Sequence, residues 1–109
     1  MTSYLFIESH DNFDHGADGG FCAALAPTLA GSGSTVSVLL VQNGVLMARS
    51  GARGPGIATL LGAGVGVFAD AFSLRERGIA GAQLAPGIKS TELDIVIDRL
   101  ADGWQVIWH

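Results

Sequence analysis

Residues 65–79 read VGVFADAFSLRERGI, an apolar run followed by a polar segment. The apolar residues do not alternate with polar ones and end at Asp70, which predicts a short strand buried on both faces. Asp70 or Ser73 is placed to cap the helix that follows, because a side-chain oxygen there accepts the unpaired N–H groups of the first turn. Gly78 is the expected end of that helix. The stretch therefore predicts a strand-to-helix corner of an α/β fold.

The same corner is a candidate site for chemistry. Ligands of open parallel sheets bind outside the carboxyl ends of the strands. Asp70 and Ser73 are accordingly candidate catalytic residues, and Arg75 is a candidate ligand-binding residue. Capping alone also explains an aspartate and a serine at such a corner. The sequence leaves both interpretations open.

The composition predicts one domain with apolar surface to bury. The chain has 109 residues, which fits a single domain, 1–109, with one hydrophobic core. Charged residues make up 15% of the chain and hydrophobic residues 49%, and the mean hydropathy is +0.42. For a small domain, this predicts burial against another subunit. Alternatively, the 16 glycines and many alanines raise the apolar count without forming patches.

Charge and cysteine content exclude several classes of partner and site. The net charge is −4 and the six cations are scattered, so we expect neither nucleic acid nor an anionic membrane as a partner. A single cysteine, Cys22, allows no intramolecular disulfide and no multi-cysteine zinc site. Cys22 lies on an apolar helix without a nearby cation, which favours a small buried hydrophobe over a reactive thiol. With no export signal and no bilayer-length apolar segment, we expect a cytoplasmic protein.

Apolar runs and helical spacing alternate along the chain. Strands are predicted over residues 3–8, 35–41, 65–68 and 104–108, and helices over 21–29, from about 42 through 47, 57–61, 74–77 and 90–100. Residues 79–89 are expected to be irregular or to hold at most a short edge strand. The order β-α-β-α-β-α-β with short connections predicts a mostly parallel sheet between two helical layers.

Polar side chains gather where the predicted strands end. Carboxyl ends of parallel strands share one edge, so the side chains expected there are His10, Gln42, Asn43, Asp70 and His109. We therefore predict His10, Asn43 and His109 as ligand-binding residues together with Arg75.

The histidines also raise the question of a metal. Imidazole and carboxylate together suit zinc, nickel or copper, so His10 and His109 are candidate metal ligands. A second, local set lies in the loop after the first strand, namely His10, Asp14, His15 and Asp18. The spacing matches no strong motif such as His-Glu-x-x-His. Solvated histidines, or acid–base groups near neutral pH, explain the same residues.

Four segments resemble the DsrE/DsrF/TusD family, and the similarity extends over nearly the whole chain. They are residues 38–45 (VLLVQNGV), 64–70 (GVGVFAD), 77–79 (RGI) and 106–109 (VIWH). The resemblance implies a three-layer α/β/α sandwich with a mostly parallel five-stranded sheet and assembly into trimers or hexamers. It also implies a role in sulfur oxidation or sulfur relay.

The resemblance does not extend to the residue that carries sulfur in this family. In the sulfur-carrying members, a cysteine after the third strand, a few residues before an Arg-Gly-Ile-like element, accepts a persulfide. The matching positions here are Asp70 and Ser73. Neither a carboxylate nor a hydroxyl can carry transferable sulfane sulfur, because that chemistry needs a thiolate.

Two functional hypotheses follow. The first is a DsrE-like oligomeric accessory or small-ligand-binding protein linked to sulfur or redox metabolism, without persulfide transfer at the family position and with a protein partner of a sulfur-relay or redox pathway. The alternative is a small enzyme or metal-binding protein that uses a strand-edge pocket with Asp70, His10 and His109. The sequence names no cofactor for either.

Overall fold

The computed structural model describes residues 2–10, 20–51 and 56–108, with the side chains of those ranges except residues 20–24 and 56. The strands are β1 (Ser3–Glu8), β2 (Thr35–Leu40), β3 (Gly66–Asp70), β4 (Ile88–Thr91) and β5 (Gln105–Trp108). The α-helices are α1 (Gly20–Gly31), α2 (Gly56–Gly62), α3 (Ala71–Glu76) and α4 (Asp94–Ala101). Two 3₁₀ helices cover Gln42–Ala48 and Gly81–Gln83.

The five strands form one sheet in the order β4-β3-β2-β1-β5, and every pair is parallel. The chain steps in one direction from β1 to β4 and then returns to the far side of β1. With right-handed crossovers, this reversal places α4 on the opposite face from the earlier helices. The predicted α/β architecture with a parallel five-stranded sheet is confirmed, and all five strands end at the same edge.

Each face of the sheet has its own hydrophobic core. Phe6, Val38 and Val67 point to the face covered by α1 and α2 and belong to the larger cluster. Leu5 and Ile7 point the other way, to the smaller cluster that includes Ile95 of α4. Successive residues of a strand face opposite sides of the sheet. Burial on both sides therefore explains why the apolar runs did not alternate.

The observed elements differ from the predicted ones in three places. Helix α3, predicted over residues 74–77, covers Ala71–Glu76. The segment after β2 is a 3₁₀ helix, Gln42–Ala48, rather than an α-helix. The last helix begins at Asp94, because Ser90 and Thr91 belong to β4 and pair with Ala69 and Asp70 of β3. Hydrogen bonding to the free edge of β3 outweighs the local helix-opening pattern that residues 90–93 present.

The end of β1 lies against the start of the Gln42–Ala48 3₁₀ helix. The backbone N–H of Val41 donates a hydrogen bond to the carbonyl oxygen of Glu8 (3.0 Å). A Cβ at Gly44 would overlap that same carbonyl oxygen. This position therefore requires glycine because two backbone segments approach closely, which allows the chain to turn sharply at the carboxyl edge of β2.

Most of the large exposed apolar side chains lie on α4, at its N-cap or on the strand that follows it. Large apolar side chains with at least half of their surface exposed are Phe72, Leu93, Ile97, Leu100 and Trp108. Ile97 is 68% exposed and Trp108 64%. Isolated exposed apolar residues are ordinary, but a group of this kind on and around one helix is typical of a contact surface. Within the described ranges, no helix is long and apolar enough to cross a membrane.

Candidate functional site

An open cleft of about 930 Å³ lies at the carboxyl edge of the sheet, beside the N-terminal end of α4. Residues from the ends of β2, β3 and β5 and from α3 and α4 form its walls. They are Val41, Gln42, Asn43, Asp70, Phe72, Ser73, Glu76, Arg77, Leu93, Val96 and Trp108. The cleft therefore lies outside the carboxyl ends of the strands, where open parallel sheets bind ligands.

Asp70 is the last residue of β3 and the N-cap of α3. Its Oδ2 accepts hydrogen bonds from the backbone N–H of Ser73 (3.0 Å) and from the hydroxyl of Ser73 (2.6 Å). The predicted cap is confirmed. Gly78 follows the end of the helix as predicted, and its φ of 67° is the left-handed conformation typical of such a glycine.

Capping occupies only one of the two carboxyl oxygens of Asp70. The side chain is 2% exposed, and Oδ1 is buried without a hydrogen-bond partner. Most buried polar atoms in native proteins have a partner, so an unpaired carboxyl oxygen is costly and calls for a specific explanation. Helix capping does not explain this unpaired oxygen. A ligand that donates a hydrogen bond to Oδ1 would explain it.

Ser73 joins the ends of β2 and β3. Its hydroxyl donates to Asp70 and accepts from the backbone N–H of Gln42 (2.8 Å). Gln42 has φ of 51°, the only positive φ of a non-glycine residue within the described backbone. Strained backbone of this kind tends to occur at functional sites. The hydroxyl of Ser73 thus holds the turn after β2 in place, and both of its roles are structural.

Arg77, which was not predicted to be a binding residue, lies in the cleft wall. Its Nε and Nη2 donate to Oδ1 of Asn43 (3.1 and 3.0 Å), and its Nη1 donates to the carbonyl oxygen of Ser73 (3.3 Å). Asn43 therefore lies in the cleft as predicted from its strand-end position, and it orients the guanidinium.

Arg75, the predicted ligand-binding arginine, is exposed and does not line the cleft. In a helix, residues four apart share a face and residues two apart do not. Since Ser73 faces the cleft, Arg77 rather than Arg75 shares its direction. The spacing from Ser73 was the signal that could have identified Arg77.

The remaining predicted residues lie away from the cleft or outside the described ranges. His10 follows β1, where its backbone N–H donates to Oε1 of the buried Glu8 (3.2 Å) and its ring Nδ1 lies 3.6 Å from the same oxygen. His10 does not line the cleft. His109, Asp14, His15 and Asp18 lie outside the described residues. Among the residues that are described, no group of three or more His, Cys, Asp or Glu could hold a metal.

Cys22 lies within α1, which continues through Pro27 to Gly31. Its side chain is outside the described part of the chain, so its predicted burial stays a prediction.

Comparison with known proteins identifies the fold. No family model matches the sequence, and no curated protein matches it. Three similar solved structures are the ychN protein from E. coli (17% identity, 100% of both chains, TM-score 0.79), MTH1491 from Methanobacterium thermoautotrophicum (18%, 100% of both, 0.77) and BT1422 from Bacteroides thetaiotaomicron (19%, 98% of this chain and 94% of that one, 0.79). MTH1491 and BT1422 are described as proteins of unknown function. At these identities the likeness establishes a shared α/β fold over the full described sheet.

Proposed function

We propose that this protein binds a small molecule in the cleft at the carboxyl edge of its sheet, as a DsrE-like accessory protein linked to sulfur or redox metabolism. The observation that carries the proposal is that Asp70, a residue of the cleft lining, keeps one carboxyl oxygen, Oδ1, buried without a hydrogen-bond partner. The sulfur or redox context rests on the sequence resemblance alone.

The dimensions and lining of the cleft suit a small ligand. Small-molecule sites have volumes of roughly 300–1,000 Å³ and combine apolar walls with a few polar groups that fix orientation. Here the apolar part comes from Phe72, Leu93, Val96 and Trp108. The polar part comes from Asp70 and Arg77, each held by hydrogen bonds within the protein.

A screen of small metabolites by thermal denaturation tests the proposal. We expect at least one compound to raise the Tm of the parent protein and to lose that effect in Trp108→Ala, which removes an exposed wall of the cleft. Lys89→Gln, a change at an exposed residue of β4 outside the cleft, should leave the effect intact. Hits that respond equally in all three proteins would place binding elsewhere and refute the cleft as the site.

The corner between β3 and α3 is proposed to have no sulfur-carrying role. Ser73 is buried, and its hydroxyl is already engaged by Asp70 and Gln42. A persulfide carrier needs an accessible thiolate. The residues at the family position are therefore used for structure and binding instead.

Exposure to a persulfide donor is expected to leave the intact mass of the protein unchanged, because Asp70 and Ser73 supply no thiolate and the single thiol, that of Cys22, is predicted to be buried. Mass spectrometry of the parent and of Cys22→Ser measures this directly. A stable gain of one sulfur atom in the parent, absent from Cys22→Ser, would restore a carrier role and move it to α1.

We also propose that the protein assembles as a homo-oligomer, a trimer or hexamer. Support comes from the resemblance and from the exposed apolar side chains on α4, Ile97 and Leu100. Obligate interfaces between subunits are rich in apolar surface of this kind.

Light scattering coupled to gel filtration is expected to give a mass three or six times that of one chain. Ile97→Asp should shift it toward the monomer, since burying an unpaired carboxylate in an apolar interface is strongly unfavourable. Thr59→Asp adds the same charge at an exposed position of α2 and serves as the control. A parent protein that is monomeric at micromolar concentration would contradict the assembly.

A further inference from the structure

We propose that the ligand of this cleft is a small zwitterion of the amino-acid class, in which one molecule carries an ammonium group, a carboxylate and an apolar side chain. The inference rests on the proposed function, because it names the chemistry of the ligand that the cleft takes. Its basis is that Asp70 and Arg77, two residues of opposite charge in the cleft lining, have no charged partner within the described part of the chain.

The acidic group is Asp70. Both hydrogen bonds to its carboxyl group reach Oδ2 and come from Ser73, while Oδ1 is buried and accepts none. A protonated amine supplies the N–H donors that such an oxygen lacks, and a charge-assisted hydrogen bond is stronger than a neutral one. Glu76, a second and exposed carboxylate, lines the same cleft and adds to its attraction for a cation.

The basic group is Arg77. Its hydrogen bonds all go to neutral acceptors, Oδ1 of Asn43 and the carbonyl oxygen of Ser73. These bonds use three of the five N–H donors of a guanidinium and leave two for a ligand. An arginine oriented by an amide in this way is well suited to bind a carboxylate, because its planar group matches the two carboxylate oxygens.

The two groups share one neighbour. Ser73 contacts each of them, through its hydroxyl to Asp70 and through its carbonyl oxygen to Arg77. Apolar side chains of the same cleft, among them Phe72, Leu93 and Trp108, are available for the remainder of the ligand.

A zwitterion suits this charge arrangement better than a simple ion. A carboxylic acid without an amine would leave Oδ1 of Asp70 unpaired and would approach two carboxylates. An amine without a carboxylate would leave the guanidinium of Arg77 uncompensated. Buried or partly buried charges are costly when unpaired. A ligand that pairs with both charged groups is therefore expected to bind more tightly than a ligand that pairs with only one.

Three matched probes separate these cases, namely L-phenylalanine, 2-phenylethylamine and 3-phenylpropanoate. They share an aromatic body and differ in carrying both charged groups, only the amine or only the carboxylate. Calorimetric titration of the full chain is expected to show that phenylalanine binds at least about tenfold more tightly than either singly charged probe, since each added charge-assisted pair contributes that order of affinity.

Substitutions test which residue binds each charged group of the ligand. Asp70→Asn should remove the advantage of phenylalanine over 3-phenylpropanoate, and Arg77→Gln should remove its advantage over 2-phenylethylamine. Lys89→Gln removes an exposed cation outside the cleft and should leave all three affinities unchanged. Circular dichroism of each variant identifies any loss of fold. Arg77→Lys keeps the positive charge but lacks the planar guanidinium, so it tests whether charge alone is enough to bind the carboxylate of the ligand.

The outcomes are distinct. Equal binding of phenylalanine and one singly charged probe would overturn the zwitterion while leaving a ligand-binding cleft in place. An advantage of phenylalanine that survives in both Asp70→Asn and Arg77→Gln would also overturn it. If none of the three probes binds, the zwitterion is refuted, and the metabolite screen decides separately whether the cleft binds any small molecule.

Discussion

Asp70→Ala is expected to lower the free energy of unfolding by about 2–3 kcal/mol, the sum of a lost helix cap and an unpaired buried hydroxyl. The alanine removes the acceptor of both the backbone N–H and the hydroxyl of Ser73. Ser73 is buried, so water cannot readily replace these bonds. Denaturant unfolding followed by circular dichroism measures the loss. A cost below about 0.5 kcal/mol, the lower limit for removing a cap, would mean that Asp70 contributes little to the architecture of this corner.

Asp70→Asn is expected to behave differently, because an amide oxygen can still accept both hydrogen bonds from Ser73. Its free energy of unfolding should stay within about 1 kcal/mol of that of the parent, a margin typical when a cap is conserved. Its amide nitrogen would then occupy the place of Oδ1, where it removes the charge and turns an acceptor into a donor. Ligand binding in the cleft should therefore be lost while the fold persists.

The pair of variants separates the two interpretations of Asp70 that the sequence left open. A residue that only caps would show stability and binding declining together in Asp70→Ala and neither changing in Asp70→Asn. A stable Asp70→Asn protein with normal ligand binding would reduce this corner to an architectural role. Loss of ligand binding in a stable Asp70→Asn protein would show that a ligand binds the second carboxyl oxygen, Oδ1.

Gly44→Ala is expected to cost about 2 kcal/mol of stability, within the range for forcing an additional carbon into a closely packed site. The added Cβ would overlap the carbonyl oxygen of Glu8, which already accepts a hydrogen bond from Val41. Because the obstacle is backbone, it cannot move aside as a flexible side chain would. The end of β1 or the 3₁₀ helix must shift, and this would also displace Asn43 from Arg77.

Gly62→Ala is the matched control for this prediction. Gly62 is the last residue of α2, and a Cβ built there meets nothing within 4 Å. The same chemical change should therefore be neutral or stabilising by up to about 1 kcal/mol, through reduced freedom of the unfolded chain. Equal stability of the two variants in urea unfolding would show that the turn after β2 adapts to a side chain at position 44.

Local features of the chain were correctly predicted from its sequence. Strand β1 matches its predicted bounds, and the cap at Asp70 and the glycine that ends α3 were both identified. These features depend on near neighbours, since hydrophobic periodicity, capping and left-handed turns are set within a few residues. The gathering of strand ends at one edge followed from the same pattern, because alternating strands and helices imply a parallel sheet.

The residues that form the cleft could be identified only from the tertiary structure. Asn43 and Arg77 lie 34 residues apart, and their contact depends on how the turn after β2 meets α3. The same packing leaves one oxygen of Asp70 unpaired, a property that no local pattern encodes. Strand β4 forms because β3 offers it a free edge, against the helix-opening signal of its last two residues, Ser90 and Thr91. By itself the sequence determined the strands other than β4, the helix cap and the edge at which the strands end. The arginine that faces the cleft, the glycine that packs on β1 and the unpaired carboxyl oxygen were decided by contacts between segments distant in sequence, whose geometry exists only once the sheet has formed.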